Sequence, residues 1–384
     1  MTTFMGYRRP DGRVGVRNIV AIVSAMDNTN ACANRIADIV AQAVPVTTPF
    51  GRTQIGHDFE MTLRTLAGIG AHPNVAAVLV LGLSLASANA LADRIRPSGK
   101  PVDVLGLQEA GSTMGLTVAG VRAAADLTVA ASEQAREPFS FSDLTIAVEC
   151  GGSDTTSGIA SNPAVGLFAD RFIDAGGTIV LSEPAEFMGG EHILAKRAVN
   201  PQDAERIFSM VKWFEDEAKR NGVDMRGTNP TPDNIEGGLT TLEEKSLGAI
   251  AKGGSRPVVE VIEYSEQASK KGLVIMNTPS AACESMTGLL GGGSQMIIFS
   301  TGRGNAIGAP IAPTVKITGN PHTAAAMKEN IDVDVSAIIS DSEPLEIAAG
   351  RLWNEMVKTA QGKLTRCEVL QEDQLSVSRF GPSV

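Results

Sequence analysis

NIVAIVSAMDNTNACANRIADIVAQAVPVTT, residues 18–48, sets a short aliphatic run, a helix-like segment and a second aliphatic run in succession. A strand buried on both faces shows no polar alternation, so continuous apolar runs separated by amphipathic segments indicate parallel strands covered by helices. The alternation continues through EMTLRTLAGIGA, NVAAVLVLGLS, ANALADRI and PVDVLGL and closes with a helix over 113–135. This describes one doubly wound domain over 1–138. AREPFSFSD (135–143) then breaks the periodicity with Pro and Ser, and a new strand, LTIAVEC, begins beyond it. Residues 139–384 repeat the grammar, with helices over 164–175, after Glu191, over 201–220 and over 345–361, and strands in TIVLSEP, GLVIMNTP, MIIFSTG and TVKITG. The expected fold class is α/β: two Rossmann-like doubly wound domains with mostly parallel sheets. Residues 223–241, polar and rich in Gly and Pro, form a loop longer than compact domains ordinarily carry, which marks a functional or disordered segment.

The 384 residues suffice for two cores, and 43% hydrophobic with 20% charged residues is the balance of a soluble globular protein. A formal net charge of -10 argues against nucleic acid and anionic membrane as partners, because both need a basic face. An anionic small molecule would instead be met by a local cluster of Arg or backbone N–H groups. Cys32, Cys150, Cys283 and Cys367 are widely spaced with no CxxC pair, which suggests neither a disulfide framework nor a zinc knuckle and suits a reducing cytoplasm. No apolar leader follows Met1, and no apolar run reaches the roughly 18 residues a membrane span requires.

Ligands of open α/β sheets sit beyond the carboxyl ends of the strands, so strand-end sequences are where chemistry is sought. ECGGSDTTSG (149–158) is the first. Its glycines allow a sharp turn that exposes N–H groups, and Gly151, Gly152, Ser153, Asp154 and Thr155 compose an oxyanion pocket or, equally, a connection whose hydroxyls and Asp cap the next helix. SEPAEFMGGEHIL (182–194) supplies Glu183, Glu186, Glu191 and His192, donors for a metal or a proton-transfer site, although Glu191 and His192 also read as the start of a solvated helix. His57 is a general base or a loop histidine. His72 reads as a helix terminator and His322 as a helix cap. Thr301, Gly302 and Arg303 end a strand in TGRGN, where Arg303 either grips a carboxylate or sulfonate or pins its own loop. Lys245 is a base if buried and a surface ion pair with Glu243 and Glu244 otherwise. TGRGNAIG departs from GxGxxG, so no nucleotide cofactor is expected.

GYRRPDGRVGVRN (6–18), ECGGSDTTSGIASNPAVG (149–166), SEPAEFMGGEHIL (182–194), NPTPDNIEGGLTTLEEKSLGAIAKGG (229–254) and FSTGRGN (299–305) together resemble the altronate and galactarate dehydratase family, in its large catalytic part. Two departures accompany the resemblance. Cysteines that altronate-type members carry after the first and third strands are replaced here by SAMDNTNA (24–31) and GLSLASAN (82–89), and the family's small β-clip domain is not in this chain. AMDNTNACANRIA, TPFGRTQIGHD and NTPSAACESMTGLL look closer to a sulfo-lyase branch of the family.

The resemblance implies a lyase that abstracts the proton alpha to a carboxylate, stabilises an enediolate and expels a beta substituent: sulfite in the sulfo-lyase reading, hydroxide in the sugar-acid dehydratase reading. A noncatalytic ligand-binding subunit is the third reading. It further implies a divalent metal, Fe2+ or Mg2+/Mn2+, held by Glu183, Glu191 and His192. Also implied are catalysis by His192, Glu191, His57 and Lys245, an anion-binding loop at residues 151–155, and a carboxylate or sulfonate clamp in Arg303. Arg13 and Arg17 either reach the site or hold the domain interface. A small β-clip partner of about 90 residues, the size of a small domain, completes a homo- or hetero-oligomer.

Overall fold

The computed structural model describes residues 2–51, 53–225 and 229–384. Its aliphatic runs form two parallel sheets. The first has four strands in the spatial order Ala43–Val46, Ile19–Ser24, Val75–Gly82, Val102–Gly106. The second has seven: Val258–Ile262, Leu273–Met276, Thr178–Leu181, Thr145–Cys150, Met296–Ser300, Thr314–Thr318, Val333–Asp334. Every pairing in both is parallel. Thr145–Cys150 is central in the larger sheet, and the chain builds outward from it on one side before crossing to Met296–Ser300 on the other. That reversal opens a crevice at the carboxyl ends of these strands.

The stretch 135–143 is more than a break. Glu137–Ser140 pairs antiparallel with Thr3–Arg8, which also pairs with Val14–Gly15. Phe139 faces the core beside Phe4, and Pro138 is tolerated because this is an edge strand. The two sheets share a core: one cluster of buried side chains takes in Val23, Leu66 and Val78 with Val180, Met286 and Ile297. Helices Gly56–Gly70 and Ala282–Gly291 touch backbone to backbone, so that a Cβ on Gly68 would come 2.1 Å from the Gly291 carbonyl oxygen.

The helix Thr113–Ser132 is long and apolar enough, by length and composition, to cross a membrane. It instead lays Leu116, Ala124 and Leu127 on the four-stranded sheet, against Ile36 and Leu79, and Arg122 and Asp126 interrupt its apolar run. Of the long loop 223–241, residues 226–228 lie outside the described residues. The remainder folds a helical turn, Pro232–Glu236, capped by Thr231.

Candidate active site

Three strand ends meet at the crevice floor and bring buried ionisable groups together. Glu149 and Cys150 end the central strand, Ser182 and Glu183 follow its neighbour, and Thr278 follows the next. Glu183 takes a left-handed conformation, φ 67°, uncommon for a residue with a Cβ, and its N–H donates to Thr278 Oγ1 at 2.9 Å. Its Oε2 accepts from Lys252 Nζ at 2.8 Å and from the Cys150 N–H at 3.2 Å, with both charged side chains out of water. Glu149 Oε2 accepts from the Ser182 and Ser285 hydroxyls, each at 2.7 Å.

The charges here are unequal, one ammonium against two carboxyls. Burial, and then the charge of Glu183, hold the Glu149 carboxyl well above its usual range. Burial and Glu183 likewise push the Cys150 thiol up to about 12, so it stays a thiol at neutral pH. Burial works against the Lys252 ammonium, but the Glu183 carboxylate it pairs with outweighs it and raises its proton affinity.

The 3₁₀ turn Pro184–Phe187 carries Glu186 back toward the same floor. Opposite it runs the helix Leu242–Ala251, capped by Thr241, with Lys245 and the C-cap Lys252 seven residues apart and therefore on one face. Lys245 Nζ donates to Glu186 Oε1 at 3.1 Å and to Asn229 Oδ1 at 2.6 Å. Burial raises the Glu186 carboxyl, Lys245 opposing it and Glu183 reinforcing it. Two cavities flank this pair. One of about 370 Å3 is lined by Gly152, Ser153, Glu183, Asn229 and Ser280; the other, of about 230 Å3, by Ser157, Ile159, Asn162, Leu239 and Leu247. Cys150, Ser153, Glu186 and Lys245 wall both. A single π-helical turn, Ser157–Ser161, shapes the second.

The loop 151–155 divides its labour. Asp154, buried, accepts from Thr156 Oγ1 at 2.6 Å, the Ser157 N–H at 3.0 Å and Asn320 Nδ2 at 2.8 Å, so it caps its own helix. Gly151 N–H donates to Ser300, and Thr155 N–H to Gly237. The N–H groups of Gly152 and Ser153 have no acceptor among the described residues, and both residues line the larger cavity. Gly152 has φ 65°, which glycine alone adopts without strain. The helix cap thus falls on Asp154, and the N–H groups without an acceptor belong to Gly152 and Ser153.

TGRGN is scaffold. Gly152 O accepts from the N–H groups of Gly302, at 3.1 Å, and Arg303, at 2.8 Å. Thr301 Oγ1 accepts from the Gly304 N–H. The Arg303 guanidinium donates to the Asp233 carbonyl at 3.0 Å and pairs with Glu236 at 2.9 Å. It pins the turn Pro232–Glu236 that walls the crevice.

The remaining expected residues lie away from the crevice floor or take other partners. Arg17 holds the interface: it donates to both oxygens of Glu368, at 2.6 and 2.9 Å, and to the Thr359 and Lys363 carbonyls. His57 is exposed near Phe380, their rings 5.8 Å apart. His192 is exposed on the helix Glu191–Arg197, and Glu191 lines a separate cavity with Glu215 and Glu243. Asn320, not His322, caps the helix Pro321–Ala326. Lys245 pairs with Glu186 rather than with Glu243 or Glu244, and its side chain is only 10% exposed.

Glu183, Glu191 and His192 therefore do not form one donor set. Among the described residues no group of three or more His, Cys, Asp or Glu is placed to hold a metal ion, and Glu183 is already committed to Lys252. As placed, Glu183, Glu191 and His192 do not fit the metal expected. Sequence reading missed Glu149, Lys252, Ser285 and Asn229. An acid inside an otherwise apolar central strand was the available signal for the first of these.

Residues 6–132 match the family profile "D-galactarate dehydratase/Altronate hydrolase, second domain", and residues 141–383 match "D-galactarate/Altronate dehydratase, C-terminal". The chain belongs to the galactarate/altronate dehydratase family and is an enzyme of lyase type. It is 39% identical over 380 residues to the (2R)-sulfolactate sulfo-lyase subunit beta of Chromohalobacter salexigens, an alignment spanning 98% of this chain and 97% of that one. It is 33% identical to the altronate dehydratase of Bacillus subtilis, over 99% of this chain and 78% of that protein. With the galactarate dehydratase (L-threo-forming) of Escherichia coli it shares 27% identity, over 94% and 73%.

Proposed function

We propose that this chain is the large subunit of a sulfo-lyase that removes sulfite from a small 2-hydroxy-3-sulfo acid of the (2R)-sulfolactate type, leaving pyruvate. The observation that carries the reading is the buried Glu186–Lys245 pair lining one cavity with the N–H groups of Gly152 and Ser153, which have no acceptor among the described residues. Glu186, a carboxylate of raised proton affinity, takes the proton from the carbon bearing the hydroxyl. Lys245 and the two N–H groups hold the carboxylate as charge spreads onto it in the enediolate. The C–S electron pair then leaves with sulfite, a stabilised anion that needs donors around its oxygens rather than a strong acid. A small dianion suits a cavity of about 370 Å3.

The similarity to a protein named as a beta subunit supports a second polypeptide, for which the small β-clip chain remains our reading. All four cysteines are free thiols, which suits a reducing compartment. The test is turnover of (2R)-sulfolactate, altronate and galactarate by the chain together with its small partner, following sulfite and 2-oxo acid. Sulfite with pyruvate from the first substrate alone supports the reading. A 2-oxo acid formed only from the sugar acids replaces it with the dehydratase reading.

A further inference from the structure

Elimination leaves an enol, and pyruvate requires a proton at C3 of that enol. The group suited to supply it lies under the crevice. Glu149 Oε2 is filled by two hydroxyl donors, while Oε1 is buried with no hydrogen-bond donor facing it among the described residues. As a carboxylate, Glu149 would leave that oxygen bare in a site closed to water. As an acid it has a proton to offer the neighbouring Glu183 carboxyl: Ser182, next to Glu183 in the chain, donates to Glu149, and Cys150, next to Glu149, donates its N–H to Glu183. Lys252 balances one carboxylate and no more. Glu183 in turn lines the cavity.

We propose that Glu149 and Glu183 hold one proton between them and that Glu183 delivers it to C3 of the enol, so that ketonisation is completed on the enzyme. This rests on the sulfo-lyase reading. The departing sulfite takes the proton first abstracted by Glu186 and leaves as hydrogensulfite. The C2=C3 π pair then forms the new C3–H bond as the Glu183 O–H bond breaks. The enol hydroxyl gives its proton to Glu186, which returns it to Glu183 at the start of the same turn. Hydrogens and charge balance without an external oxidant or reductant. Glu183 meets the substrate and is catalytic; Glu149 acts through it and is a positioning residue.

The experiment follows sulfite and keto product in the same early time course, using the chain with its partner subunit and (2R)-sulfolactate. The reading is their ratio, which does not depend on how fast elimination runs. In the native enzyme the two appear together. In Glu149→Gln, on-site ketonisation slows about 10²-fold or more and pyruvate lags behind sulfite. A second measurement needs no variant: substrate with one hydrogen and one tritium at C3, turned over in deuterium oxide, yields a chiral methyl group when protonation is enzymic. A racemic methyl, or coincident products in Glu149→Gln, overturns the relay and leaves the elimination standing. Absence of sulfite from the native enzyme overturns the reaction assignment, and the relay with it.

Discussion

Lys245 Nζ stands 3.1 Å from Glu186 Oε1 and 2.6 Å from Asn229 Oδ1, in a crevice where the lysine side chain keeps only a tenth of its exposure. A cation so placed is fixed before substrate arrives, and fixed charge costs no reorganisation as negative charge develops. Lys245→Met is expected to lower kcat/KM for the sulfonated substrate by about 10²- to 10³-fold, the usual loss when one preorganised donor is removed. Steady-state kinetics on variant shown folded by circular dichroism check it; retention of most of the activity would place the anion site elsewhere.

Glu186 sets an acid limit. Burial raises its carboxyl above the ordinary 4.5, and a general base works only when ionised. The rate therefore falls as pH drops through the raised value, earlier than an ordinary glutamate would dictate. A kcat/KM profile should show that limb, and Glu186→Gln should abolish it together with about 10²- to 10⁴-fold of the rate. A limb persisting in the variant would assign it to another group.

The sequence showed the sheets because a strand buried on both faces is written as an unbroken aliphatic run, as in Val75–Gly82. It also led to the crevice, since strand-end glycines such as Gly151 and Gly152 are needed where the backbone must turn. Side-chain roles were less legible. Glu183 and His192 are near in the chain, but the Gly189–Gly190 turn starts a helix that carries His192 to the surface while Glu183 stays on the floor. Exposure, which sets His57 and His192 apart from the buried crevice floor, is a tertiary property. Lys245 and Lys252 were on one helix face by spacing alone, yet only the opposed Glu183 and Glu186 reveal which face is buried. Short strands such as Glu137–Ser140, at the edge of its sheet, escaped because pairing, not hydrophobicity, defines them.

Lys252 and Glu183 form a fully buried pair, and deleting one member strands the other's charge. Lys252→Met is expected to cost about 3–5 kcal/mol of stability. Adding Glu183→Gln should recover much of that loss, because the stranded charge is gone. Urea denaturation of the native chain, both single variants and the double tests it. Additive losses would mean that the pair is not coupled.

Glu149 makes stability depend on pH in a direction opposite to that of most carboxylates. Its folded-state proton affinity lies well above the ordinary value of 4.5. The stability it contributes is therefore complete below that value and is lost as pH rises through the folded-state one. Glu149→Gln keeps a neutral donor in place and should flatten this alkaline decline. Denaturation midpoints at mildly acidic and alkaline pH compare the two proteins; equal slopes would show that Glu149 is already ionised in the folded chain.

Gly302 couples the buried scaffold to the crevice. A Cβ built on it would come 2.0 Å from Asp154 Oδ1, the oxygen that accepts from Thr156 and the Ser157 N–H, and Asp154 is held on its other oxygen by Asn320. Gly302 N–H also donates to Gly152 O at 3.1 Å, so a displaced Gly302 carries the Gly152 and Ser153 donors with it. Gly302→Ala should thus cost about 1–3 kcal/mol, the range for overpacking a filled interior, and lower the rate as well. Gly350, inside the helix Leu345–Ala360 with nothing within 4 Å of its added Cβ, provides the opposing control. There, Gly350→Ala should stabilise by roughly 0.5–1 kcal/mol through the helix backbone alone and leave the kinetics untouched. Melting curves and turnover of the two variants, measured side by side, must move in opposite directions in stability and diverge in rate; a Gly302→Ala chain as stable and as active as the native one would break the proposed link between Asp154 and the anion-binding loop.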